Sequence, residues 1–223
     1  MRSLILSLVV LALSVLPARS VALSGPDAHS VLRQMLAGLH GEQAVALSYD
    51  LRKTISSGGM ILRIEHYSVT LRADGTQTVL NQDTRVTSSA PPDPARADNV
   101  LGLLGIEGEG PVPVSVDEEA EGGLSVDAIH FSASATGTTG DAAPAISEID
   151  VDPRTYALHR AIYSSYVKID VKVGDAVHLA SVPARVEETF SQINGHTYMQ
   201  KFEAVGTYSG HEIRFLYELG NFR

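Results

Sequence analysis

The chain has 223 residues, 44% of them hydrophobic, a formal net charge of −9 and no cysteine. The missing thiols exclude disulfide staples, thiolate chemistry, cysteine-held metals and lipid attachment at an N-terminal cysteine. The negative charge argues against nucleic acid and anionic membrane surfaces as partners, because their phosphates are repelled rather than neutralised.

Residues 1–22, MRSLILSLVVLALSVLPARSVA, have the three parts of a secretory signal peptide. Arg2 supplies the positive start, Leu4 to Leu16 an apolar run too short to span a bilayer comfortably, and Pro17 a break before small residues. Cleavage after Ser20 or after Ala22 fits the small-x-small rule. Loss of Arg2 and Arg19 with the leader makes the mature chain more acidic still. Residues 23–223 are then expected to form a single β-rich domain held by core burial alone, which about 200 residues can supply. No later run reaches about 18 apolar residues, so no transmembrane segment is expected after cleavage. No Asn-x-Ser/Thr sequon occurs, which leans toward a bacterial envelope, periplasmic or secreted.

The first element is a helix in PDAHSVLRQMLAGLHG. Val31, Leu32, Met35, Leu36 and Leu39 share a stripe, with Asp27 as N-cap and Gly41 as the stop. In AVALSYDLRKTI, Val45, Leu47, Tyr49, Leu51 and Ile55 alternate with Ser48, Asp50 and Arg52, the signature of a half-buried strand. Gly58-Gly59 turns the chain into MILRIEHYSVTLR, and Ala73-Asp74-Gly75 turns it into TQTVLNQ. Residues 88–98, SSAPPDPARAD, read as an exposed proline-rich loop, and NVLGLLGIEGEG as a short helix ended by Gly105 or Gly108. VDEEAEGG reads as a solvated acidic turn, LSVDAIHFSASA as a strand and TGTTGDAAP as a second loop.

From Ile146 the strand pattern sharpens. Asp152-Pro153-Arg154-Thr155 divides two runs, and Asp150 and Asp152 read together as turn residues. Val167, Ile169, Val171 and Val173 share one face, with Lys168, Asp170 and Lys172 on the other. ARVEETFSQI, TYMQKFEAVGTY and HEIRFLYEL form two hairpins around Asn194-Gly195 and Ser209-Gly210. In the last strand Ile213, Phe215, Tyr217 and Leu219 point one way, against Glu212, Arg214 and Glu218. The fold class is therefore α+β, mainly antiparallel β. It is expected as a curved sheet or half-barrel of about nine strands covered by one or two short helices, since long twisted sheets do not stay open and flat.

HSVLRQMLAGLHG leading into AVALSYDLRKTI, and the succession from DVDPRTYALHRAIY to VEETFSQINGHTYMQKFEAV, resemble the family of the periplasmic lipoprotein carrier LolA. The family shares its fold with the outer-membrane receptor LolB and a periplasmic regulator of an envelope-stress anti-sigma factor. The likeness covers most of the mature chain as architecture and little as motif. GGMILRIEHYSVTLRADG has the family's glycine and leucine but no proline. The resemblance implies a soluble envelope protein that takes a lipid, or the acyl chains of a lipidated protein, in an apolar sheet-lined cavity, as carrier or sensor, without covalent chemistry. No functional residue is carried over from it. Strand alternation by itself nominates Tyr49, Leu51, Leu62, Ile64, Val167, Ile169, Phe215 and Tyr217 as lining residues. If the core is filled instead, a protein-interaction or regulatory domain with an envelope protein partner is the alternative.

No catalytic residue, metal or cofactor is expected. The eight histidines are dispersed, with no His-Glu-x-x-His. Ser209 near His211 lacks the Gly-x-Ser-x-Gly elbow. The acidic run with Asp117, Glu118, Glu119, Glu121 and Asp127 misses the calcium-loop spacing.

Overall fold

The computed structural model describes residues 27–42, 45–73, 76–85, 87–88, 97–104, 111–121, 123–132, 144–173 and 176–223. The leader, most of the two expected loops and the glycines expected to end the second helix lie outside the described residues. The elements are α1 (Ala28–Gly41), β1 (Leu47–Ser57), β2 (Met60–Leu71), β3 (Gln77–Asn81), β4 (Thr87–Ser88), α2 (Asp98–Leu104), β5 (Pro113–Glu121), β6 (Leu124–Phe131), β7 (Ala145–Val151), β8 (Leu158–Val173), β9 (Ala176–Ile193), β10 (His196–Tyr208) and β11 (His211–Gly220). All strands join one antiparallel sheet in the order β4-β3-β2-β1-β11-β10-β9-β8-β7-β6-β5. β1 starts in the middle and the chain meanders outward to β4. A connection carrying α2 then leads to the far edge at β5, and a second meander returns until β11 pairs with β1, Leu51 opposite Leu219.

Among the described residues the sheet has eleven strands against the expected nine, ten of them five residues or longer. The two additions are the two-residue β4 and β5, whose acidic run the sequence reads as a turn. Among the described residues β5 is an edge strand that pairs with β6 alone. Alternating carboxylates are compatible with such a strand and discourage further edge-to-edge pairing. Asp150 is likewise corrected: it lies within β7 and is fully buried, and only Asp152 makes the turn, accepting from the Arg154 and Thr155 N–H groups at 2.9 and 2.7 Å.

One sheet face carries the core. Leu47, Tyr49 and Leu51 on β1 stand opposite Leu71, Val69 and Tyr67 on β2, and Ile55, Phe215, Ala204, Val186 and Tyr163 follow one another across β1, β11, β10, β9 and β8. Both helices contribute to the same buried cluster, α1 lying against β5 and α2 against β7. α1 forms where apolar residues recur three and four apart, burying Ala28, Val31, Met35 and Leu39. Asp27 caps it through its carbonyl, which accepts from the Ser30 and Val31 N–H groups, while its side chain makes no capping bond. The helix runs through Gly41, and Glu42 takes the C-cap. The Glu42 carboxylate accepts from the Thr197 N–H at 2.9 Å and the Thr197 hydroxyl at 2.6 Å, tying the helix end to the start of β10. At this end Phe222 stacks on Tyr49 and Tyr198, ring centres 5.7 and 5.8 Å apart.

The last two expected hairpin turns are present, while Asp74 and Gly75 of the earlier one lie outside the described residues. Asn194 and Gly195 (φ 53° and 80°) and Ser209 and Gly210 (φ 51° and 80°) are left-handed at both central positions, the geometry that follows the twist of the flanking strands. Gly206 is required for a different reason: a Cβ there would meet the Pro183 carbonyl oxygen at 2.6 Å, so β9 and β10 approach closely only at a glycine. No helix among the described residues is long and apolar enough to cross a membrane.

Candidate ligand site on the helix-covered face

Beside α2, which buries Val100 and Leu104, a hollow of about 250 Å³ opens on the core face. Leu103, Pro144, Tyr163, Val167, Val186 and Phe202 are among its lining residues. Its position follows from the strand ladder, because Tyr163 and Val186 are paired neighbours and Phe202 lies one strand further on.

Next to the hollow the core face turns polar. Lys53, Tyr217, Phe202, Glu188 and Ala161 succeed one another across β1, β11, β10, β9 and β8. The Phe202 and Tyr217 rings stack at 5.0 Å. The Lys53 ammonium sits 4.4 Å from the centre of the Tyr217 ring and 5.9 Å from that of Tyr67, where the ring faces attract a cation. Glu188 is 1% exposed and accepts a 2.9 Å hydrogen bond from the Tyr163 hydroxyl. A charge at that depth is tolerated only with hydrogen-bonding partners. The arrangement thus combines an apolar recess with polar groups at its side.

The eight nominated residues fall in three places. Val167 lines the hollow, Ile169 packs beside it against the core, and Tyr217 belongs to the polar row. Tyr49, Leu51 and Phe215 are buried within the core cluster. Leu62 and Ile64 are 63% and 39% exposed, which corrects their assignment to the inner face. The inner set of β2 is Tyr67, Val69 and Leu71, and a register irregularity opposite Ile55 and Ser56 interrupts the alternation where Leu62 lies.

Lys53, Tyr163, Glu188 and Phe202 were not nominated. Lys53 falls in the same odd-numbered set as Leu47, Leu51 and Ile55, and Glu188 in the set of Ala184, Val186 and Phe190. A charged residue at a core-facing position is the signal that could have found both. Ser209 occupies an exposed turn. Among the described residues no group of three or more His, Asp or Glu could hold a metal ion.

Glu118 and Glu119 are exposed on β5, Glu118 accepting from the Ser125 hydroxyl at 2.9 Å. Replacing both by alanine is expected to change stability by less than about 1 kcal/mol. Urea unfolding checks this, and a larger loss would give these carboxylates a structural role.

No protein-family model matches the chain, and no curated protein matches it. Solved structures do. The chain is similar to a LolA superfamily protein. That protein, from Nitrosomonas europaea, is 10% identical, with 89% of this chain and 93% of that one covered at a TM-score of 0.39. A DUF1329 family protein from Desulfovibrio piger is 11% identical, with 88% and 92% covered at a TM-score of 0.42.

Proposed function

We propose that the chain is an exported bacterial envelope protein that holds an acyl chain, of a lipid or a lipidated protein, on the helix-covered face, as carrier or sensor. The observation that carries this reading is the apolar hollow beside α2, with Tyr163 and Phe202 at the boundary between its apolar wall and the polar row. At about 250 Å³ the hollow is somewhat smaller than the roughly 300–1,000 Å³ typical of ligand pockets, so a full chain enters only when its cover shifts. α2 suits such a cover. It has seven residues and an internal glycine, Gly102, and a helix of this length depends on packing rather than on its own cooperativity.

Val167→Trp fills the hollow from its wall. The wild-type protein is expected to take up a fluorescent fatty acid saturably, and the variant to bind at least about tenfold more weakly, equivalent to about 1.4 kcal/mol, with an unchanged melting temperature. No saturable uptake by the wild type, or equal uptake by the variant, would overturn the assignment.

A second reading, docking of an envelope protein partner, is favoured by one observation. Met60, Ile61 and Leu62 at the β1–β2 tip are 69%, 61% and 63% exposed, and Val177 and Leu179 near the β8–β9 tip are 65% and 63% exposed. The β9–β10 ladder ends at Ala184 opposite Gly206, while β8 and β9 continue together to Val173 and Ala176. Clustered exposed apolar side chains of this kind mark association surfaces.

A further inference from the structure

The sheet face away from the helices carries a charge cluster at the β5 edge, where Asp117, Ala128, Asp150 and Arg160 succeed one another across β5, β6, β7 and β8. Arg160 donates to Asp150 Oδ2 from Nε at 2.6 Å and to Glu148 Oε1 from Nη2 at 2.6 Å. The same Nε lies 2.9 Å from Glu121 Oε2, the last residue of β5. His130 on β6 places Nδ1 3.5 Å from Glu148 Oε2, and Nε2 3.4 Å from Asp117 Oδ2 and 3.9 Å from Glu119 Oε1. Facing one another are therefore Asp117, Glu119 and Glu121 from β5, His130 from β6, Glu148 and Asp150 from β7, and Arg160 from β8, with Glu187 on β9 also repelling Glu121.

The carboxylates outnumber the cations, and two of their oxygens are short of donors. Arg160 Nε has one hydrogen, which Asp150 Oδ2 takes. That leaves Glu121 Oε2 and Asp150 Oδ1 buried without a hydrogen-bond donor. Glu121 Oε2 and Asp150 Oδ2 lie 2.9 and 2.6 Å from the same Arg160 Nε, so the two carboxyls crowd a single N–H, and one proton held between them supplies the donor that is missing.

We propose that this cluster is a proton-operated clasp on β5: the shared proton holds the edge strand to the sheet, and its loss as pH rises releases β5 together with α1, which lies against it. The clasp stands without any ligand. If the core face holds an acyl chain, releasing α1 loosens that face.

The direction follows from burial and charge. Burial first, then the hydrogen bond to Asp150, push Glu121 up to about 7 from its usual 4.5, against the opposing pull of Arg160. Burial and Asp150 likewise raise Glu148. A carboxyl that holds its proton more tightly when folded stabilises the fold fully below the unfolded value, near 4.5, and that contribution is lost as pH rises through about 7.

The test is hydrogen–deuterium exchange of the mature full-length chain from pH 5.5 to 8.5, corrected for intrinsic rates. Residues 113–131 and 28–41 are the reporters, and residues 196–220 the reference. We expect exchange in both reporters to accelerate at least tenfold between pH 6 and 8.5 while the reference stays flat, and Glu121→Gln, which keeps a donor toward Asp150 without the charge, to remove the acceleration. Flat exchange in the wild type, equal acceleration in the reference, or an unchanged pH response in Glu121→Gln would overturn the clasp. Should the variant fail to fold, the wild-type profile of reporters against reference still decides.

Discussion

Phe215→Asp is expected to cost about 4 kcal/mol or more, a large part of the roughly 5–15 kcal/mol that holds a domain together. Phe215 lies on β11, inside the sheet, and is 8% exposed between Ile55 on β1 and Ala204 on β10. An aspartate there loses the burial of the ring, about 2–3 kcal/mol. It also places a carboxylate among apolar neighbours, where it must be protonated or drag water inward. For a domain of this size each kcal/mol moves the melting temperature by about 2–4 °C, so a fall of about 10 °C or outright failure to fold is the expected reading. Circular dichroism melting measures it. Wild-type melting would contradict the assignment of Ile213, Phe215, Tyr217 and Leu219 to the core face.

Arg160→Met is expected to cost about 3–5 kcal/mol at pH 8, because it removes a permanent cation from Glu121, Glu148 and the fully buried Asp150. The methionine keeps much of the buried stem, so the loss reports charge rather than packing. The cost should shrink at pH 5, below the value of about 7 to which Glu121 is pushed, because a protonated Glu121 no longer needs the guanidinium. Urea unfolding at the two pH values reads this directly. A cost below about 1 kcal/mol at pH 8, or an equal cost at both, would mean that Arg160 does not neutralise the cluster.

Much of the sheet was legible in the sequence because its strands alternate. Val167 to Val171 and Ile213 to Leu219 cover one side and wet the other, and Asn194-Gly195 and Ser209-Gly210 fix the register of the last two hairpins. β5 was not legible, since an edge strand with acids on both faces has the composition of a turn, and only its pairing with β6 distinguishes the two. Asp150 was misread for a related reason. Its neighbour Asp152 is a turn residue, and nothing local shows that Arg160, ten residues on, folds back to meet Asp150.

The site was legible only in part. Alternation placed Val167 and Tyr217 on the inner face but put Leu62 and Ile64 there too: Ile64 is out of phase with the inner set Tyr67, Val69 and Leu71, and at Leu62 an irregularity in β2 pairing leaves no mark in the order of residues. Lys53 and Glu188 were missed although their spacing marks them as inward, since an apolar-first reading of each strand passes over the charges that sit in the apolar set.

The most direct test of the proposed function is native mass spectrometry of the mature protein purified from the cells that make it, followed by solvent extraction and identification of what is released. The account predicts a stoichiometric acylated species bound to the folded chain. A protein that emerges empty and also fails to take up a fluorescent fatty acid would contradict it and leave the core face as packing alone.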